Sequence, residues 1–143
     1  MILVDASLLL YAYNASAPEQ PRAAAWLAER LSRPEPVALG WIVVGAFLRL
    51  ATNRAVFPSP YSIEEAAAIA DSWLERPMVT LLEPGPRYWS IARPLLERSN
   101  ARGPFVADAL LAALALEHGA TLATHDQDFL RFPELRTVDP LAA

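Results

Sequence analysis

The sequence contains no cysteine and no lysine. Without a thiol there is no disulfide, no thiolate nucleophile and no Cys-bound zinc. Without an ammonium side chain there is neither a P-loop grip on nucleotide phosphates nor a Schiff base. All 12 basic residues are arginine. Histidine is scarce too: His118 and His125 are too few for a multi-His metal site. No apolar run approaches the roughly 20 residues that span a bilayer, and no basic leader precedes the first apolar stretch, so a soluble cytoplasmic protein is expected. The net charge of -4 argues against sequence-independent binding of nucleic acid through a broad basic surface. A nucleic-acid substrate would need screened carboxylates and a few placed arginines instead.

At 143 residues the chain is expected to form one domain over 1–143, large enough to bury about two thirds of its unfolded surface. A hydrophobic content of 54% with four Trp fits either a well-filled core or an apolar face kept for a partner. The chain begins with Met1-Ile2-Leu3-Val4, an apolar run that stops on Asp5. Such a run reads as a buried central strand of a parallel sheet. Its last residue emerges at the sheet's carboxyl edge, where Asp5 is either a helix N-cap or a functional acid.

Strand and helix patterns then alternate. A short apolar helix is expected from Leu8 to about Asn14, and Ser16-Ala17-Pro18-Glu19 reads as a capping box opening a helix to about Leu31. Val37-Ala38-Leu39 follows as a strand, then a helix from Trp41 to about Thr52. Ser62-Ile63-Glu64-Glu65 is a second capping box, opening a helix to about Glu75. Met78 to Leu82 is the third strand. A helix from Pro86 carries Pro94, which should kink or interrupt it. Pro104 opens a helix bearing Asp108 and ending at His118, with Gly119 as its C-cap. Thr121 to Thr124 is the fourth strand, a one-turn helix begins at Asp126, and Arg136-Thr137-Val138 is a weak fifth strand. The alternation implies an α/β fold with a parallel sheet of four to five strands and helices on both faces.

Right-handed crossovers put the carboxyl ends of all parallel strands at one edge, so Asp5 and Asp126 are expected to be neighbours. Each acid has a local alternative: Asp108 as a first-turn acid favoured by the helix dipole, Asp126 as an N-cap. Carboxylates converging on a dry edge repel and raise one another's pKa unless a cation neutralises them. Mg²⁺ or Mn²⁺, with hard oxygen ligands, suits such a set and supports hydrolysis of a phosphodiester. Ser7 and Thr124 flank the acids and either cap or hydrogen-bond an Asp oxygen or a ligand water. Asp128 is either a supporting acid or a cap of the short helix, and His125 either a ligand or a surface residue.

Four segments in order resemble PIN-domain ribonucleases, and within them the VapC-type toxins of toxin-antitoxin modules. They are Ile2-Leu3-Val4-Asp5-Ala6-Ser7; Phe47-Leu48-Arg49 with Ala51-Thr52-Asn53; Asp108-Ala109-Leu110-Leu111-Ala112-Ala113; and Glu117-His118-Gly119-Ala120 leading into Thr124-His125-Asp126-Gln127-Asp128-Phe129. The resemblance implies a three-layer αβα fold, a Mg²⁺-dependent endoribonuclease with Asp5, Asp108 and Asp126 as metal and catalytic acids, a homodimer, and inhibition by a VapB-like antitoxin. The family usually carries a Glu just before the Phe-Leu-Arg segment; here Gly45-Ala46 stand there, and neither binds metal. Asp128, water or Glu83 after the third strand are candidate stand-ins.

Two other folds with an Asp after the first strand are disfavoured. Haloacid-dehalogenase-like phosphatases want a second Asp where Ser7 stands and a later Lys, and receiver domains need a Lys beside the acceptor Asp. The remaining rival is a PIN-fold module that pairs with an antitoxin or RNA and does no chemistry. For the antitoxin, an amphipathic helix is expected near Tyr11, Tyr13 and the helices bearing Trp26 and Trp73, with an Arg reaching the acids. Arg49 and Arg54 are candidate RNA contacts or exposed ion-pair partners.

Overall fold

The computed structural model describes residues 1–142. Its sheet runs through β1 (Ile2–Val4), β2 (Val37–Gly40), β3 (Val79–Leu82), β4 (Thr121–Ala123) and β5 (Thr137–Val138). The spatial order is β3-β2-β1-β4-β5, and every pairing is parallel. The expected parallel sheet is therefore present, with five strands among the described residues. β1 and β2 are nearly fully buried, as a central strand covered on both faces must be, which is why they read as apolar runs without alternation.

The connections are α1 (Ala6–Tyr13) and α2 (Gln20–Arg30) between β1 and β2, then α3 (Trp41–Ala51) and α4 (Ile63–Leu74) between β2 and β3. Return to the other side of β1 runs through α5 (Tyr88–Arg98) and α6 (Pro104–His118). Steps from β1 to β2 to β3 go in one direction and the step to β4 goes back, so right-handed crossovers place α1 to α4 on one face and α5 with α6 on the other. This is the three-layer αβα arrangement. The direction reverses between β1 and β4, and that switch point opens a crevice beyond their carboxyl ends.

One local expectation fails. Ser16 to Glu19 form no capping box: Asn14 takes the Ser16 and Ala17 amides on its side chain and carbonyl, the segment folds into successive turns, and α2 starts only at Gln20, with Pro21 in its first turn. Tertiary closure of α1 against α2 decides the entry point of that helix. Of the two outcomes expected at Pro94, interruption does not occur: α5 continues through it, since burial of Ala92 and Leu95 against α6 outweighs the one backbone bond a proline removes. At Ser62 the second capping box forms in full, with the Glu65 amide bonded to Ser62 Oγ and the Ser62 amide to Glu65 Oε1. Gly119 closes α6 at φ +65°, a left-handed conformation that glycine adopts without strain.

One contiguous core links both faces, with Trp73, Phe47 and Phe57 its largest fully buried side chains. Trp73 is 1% exposed, packs on Phe47 at 4.8 Å between ring centroids, and donates its indole N–H to the Tyr13 hydroxyl. It is a core residue, which corrects its placement on a docking surface; Trp26 remains half-buried. No helix among the described residues is long and apolar enough to cross a membrane.

Candidate active site

Asp5 follows β1 directly, and its amide donates to the carbonyl of Ala123 at the end of β4, 2.9 Å away. The two strand ends are thus stitched together at the switch point. Asp5 caps α1, accepting the Ala6 amide on Oδ1, and its other oxygen accepts the hydroxyls of Ser7 at 2.8 Å and Thr124 at 2.7 Å. Capping and site-building are one arrangement here, not alternatives. Burial pushes the Asp5 carboxyl up from its ordinary value, and these hydrogen bonds oppose the rise. Thr124 is itself buried and also accepts the Asp126 amide at 3.0 Å, so a single hydroxyl fixes both acids.

Asp126 caps the 3₁₀ turn Gln127–Arg131 by accepting the Asp128 amide on Oδ1 at 2.9 Å. Asp108 reaches the crevice from the second turn of α6. Oxygens of Asp108, Asp126 and Asp128 lie within 4.8 Å of one another, and Asp5 lines the same cavity of about 250 Å³ as Asp108 and Asp126. The tightest group therefore includes Asp128, a residue whose sequence position left capping open; it is the outermost and the most exposed of the set. Burial and then the charges of Asp126, Asp5 and Asp128 drive the Asp108 pKa up to about 6, with Arg131 pulling weakly the other way. Four hard oxygen donors with mutual repulsion form an acidic cluster suited to a divalent cation.

The opposite wall of the cavity comes from α3. Ala46 faces the acids and Gly45 points to open space, so the Gly45-Ala46 pair contributes no carboxylate. Glu83 does not replace it: it follows the edge strand β3, which pairs with β2 and sits two strands from β1, about 10 Å away by strand spacing. The Glu83 carbonyl is instead within 2.8 Å of His118 Nε2.

A family model for the PIN domain matches residues 2–135. The chain belongs to the PIN-domain family. Among the PIN proteins it resembles is Ribonuclease VapC33 of Mycobacterium tuberculosis, 36% identical over 141 residues, which are 99% of each chain. Solved structures of similar fold include VapC20 of the same species, described as a Sarcin-Ricin loop cleaving toxin. It superposes with a TM-score of 0.67 at 24% identity, over 91% of this chain and 93% of that one. VapBC-1 from nontypeable Haemophilus influenzae gives a TM-score of 0.71 at 20% identity, over 99% and 100%. At those identities the two structures speak for the PIN fold alone.

One part of the site has no local signal in the sequence. His125 Nδ1 lies 2.9 Å from a carboxylate oxygen of Asp139, its ring meets Tyr11 edge-on, and its amide donates to Ser7 Oγ. Asp139 follows β5, and only strand pairing brings it beside β4. Arg54, by contrast, is exposed and does not line the cavity.

Proposed function

We propose that this PIN protein is a divalent-cation-dependent endoribonuclease acting in the cytoplasm as the toxin of a toxin-antitoxin pair. The observation that carries the reading is the convergence of Asp5, Asp108, Asp126 and Asp128 at the switch point, where Asp108 titrates near 6. It is supported by the full-length similarity to a protein named as a ribonuclease. Asp5, Asp108 and Asp126 are the residues that hold the ion, Mg²⁺ or Mn²⁺, and Asp128 supports them; an all-oxygen donor set fits such ions. When bound, the ion supplies Lewis-acid polarisation of the phosphodiester and offsets the charge that builds on it.

The chain's own contribution is preorganisation. Ser7 and Thr124 occupy one Asp5 oxygen and leave lone-pair capacity on Oδ1 toward the cavity. Thr124 ties the Asp126 backbone to the same hydroxyl, so neither acid must reorganise when substrate arrives. For the antitoxin we place an amphipathic helix along the groove between α1, α2 and α4, lined by Tyr13, Leu27, Ala28 and Leu31. The toxin itself is read as a homodimer.

Purified protein, free of antitoxin, should cleave a panel of structured RNAs with Mg²⁺ or Mn²⁺, stop in EDTA, and stop on Asp5→Asn. A second reading, a binding module without chemistry, is favoured by the absence of a carboxylate on the α3 wall. Folded protein that binds RNA or antitoxin but cuts nothing under any metal establishes that one instead.

A further inference from the structure

Resting on the nuclease reading, we propose that Arg49 is the residue that grips a backbone phosphate of single-stranded RNA in the acidic cavity. Ile42, Ala46 and Arg49 recur at helical spacing along α3 and all line the cavity opposite Asp5, Asp108 and Asp126. The other side of α3 is locked into the core by Val44, Phe47 and Ala51, so this stripe is held toward the acids. The cavity thus has one wall of fixed negative charge and one that is neutral apart from a single guanidinium.

That guanidinium is exposed, and no carboxylate of the described residues lies within 4.0 Å of it. Arg131, the other cation near the acids, is engaged: it sits 4.0 Å over the Phe105 ring and 4.0 Å from Asp128. An anionic backbone entering the cavity is repelled by the carboxylate wall, and Arg49 offers it a planar, bidentate donor on the far side. The contact carries no base information, so it serves any single strand.

The test is fluorescence anisotropy with a short labelled single-stranded RNA, read with Ca²⁺ in place of Mg²⁺ between about 50 and 200 mM salt. In parallel, melting temperature is read with Mg²⁺ and with EDTA. Arg49→Ala should weaken RNA binding about tenfold and make the slope of log K against log salt shallower by about 0.7. Arg49→Lys should restore the slope and only part of the affinity. Both variants should keep the Mg²⁺-induced rise in melting temperature. If wild-type protein binds RNA and gains stability with Mg²⁺ while Arg49→Ala keeps the wild-type affinity and slope, this assignment fails and the nuclease reading stands. Loss of the Mg²⁺ effect in Arg49→Ala makes Arg49 a support of the acids and also overturns the assignment. Wild-type protein that shows neither RNA binding nor a Mg²⁺ effect overturns the nuclease reading, and this assignment with it.

Discussion

Replacing Asp108 by Asn should stabilise the metal-free protein while removing its response to metal. The carboxyl titrates near 6 in the fold against 3.8 as the ordinary value. Between those limits the folded state holds a proton that the unfolded chain has released, so native stability falls as pH rises from about 4 to about 6 and stays lost above. The full penalty for an ionised Asp108 is about 3 kcal/mol, and solvent screening of a half-exposed group reduces it to about 1–2 kcal/mol. For a chain of this length that corresponds to roughly 3–6 °C in melting temperature. Thermal melts in EDTA at pH 8 should therefore show Asp108→Asn above wild type by this margin. At pH 5, where Asp108 is mostly protonated in the fold but ionised in the unfolded chain, the gap should shrink to about half of it. Adding Mg²⁺ at pH 8 should raise the wild type and leave the variant unmoved. An Asp108→Asn protein that melts at or below wild type at pH 8 in EDTA would refute the claim that carboxylate repulsion is stored at this site.

The same titration sets the metal's pH dependence: Mg²⁺ affinity measured by calorimetry should drop about tenfold per unit below pH 6, and a flat profile from pH 5 to 8 counts against Asp108 as a ligand. Thr124→Val strips a donor from Asp5 and an acceptor from the Asp126 amide, so it should cost about 1–3 kcal/mol in urea denaturation and weaken Mg²⁺ binding; equal metal affinity would show that Thr124 only packs. Trp73→Ala should cost about 3–5 kcal/mol, whereas Trp89→Ala, 61% exposed in the wild type, should stay within about 0.5 kcal/mol; similar values for the two would contradict the core seen here. Glu117 accepts the Gly85 and Arg87 amides at 2.7 and 3.0 Å, and a Cβ on Gly85 would come within 2.7 Å of its carboxylate. Gly85→Ala should therefore lower stability by about 0.5–1.5 kcal/mol, through the Glu117 hydrogen bonds it displaces, and more than Gly45→Ala, where the added methyl meets nothing.

Much of this protein was legible in its sequence because the signals are local. A run such as Ile2-Leu3-Val4 between polar residues is a buried strand whatever lies around it, and the Ser62 and Glu65 pair caps a helix by itself. Alternation of strand and helix fixed the parallel sheet, and with it the edge to which Asp5 and Asp126 belong. Residue types alone excluded thiolate, lysine and multi-His chemistry. The tertiary structure decided everything that depends on which strands are neighbours. Pairing of β1 with β4 made Thr124 a partner of Asp5 across 119 positions, and pairing of β4 with β5 gave His125 its Asp139. Strand order put Glu83 beyond reach of the site, and packing drew Trp73 inside and delayed α2 to Gln20. It also drew Asp128 into the acidic cluster and turned Arg49 onto the cavity wall, since the distance between charges far apart in the chain is set by the fold and not by spacing.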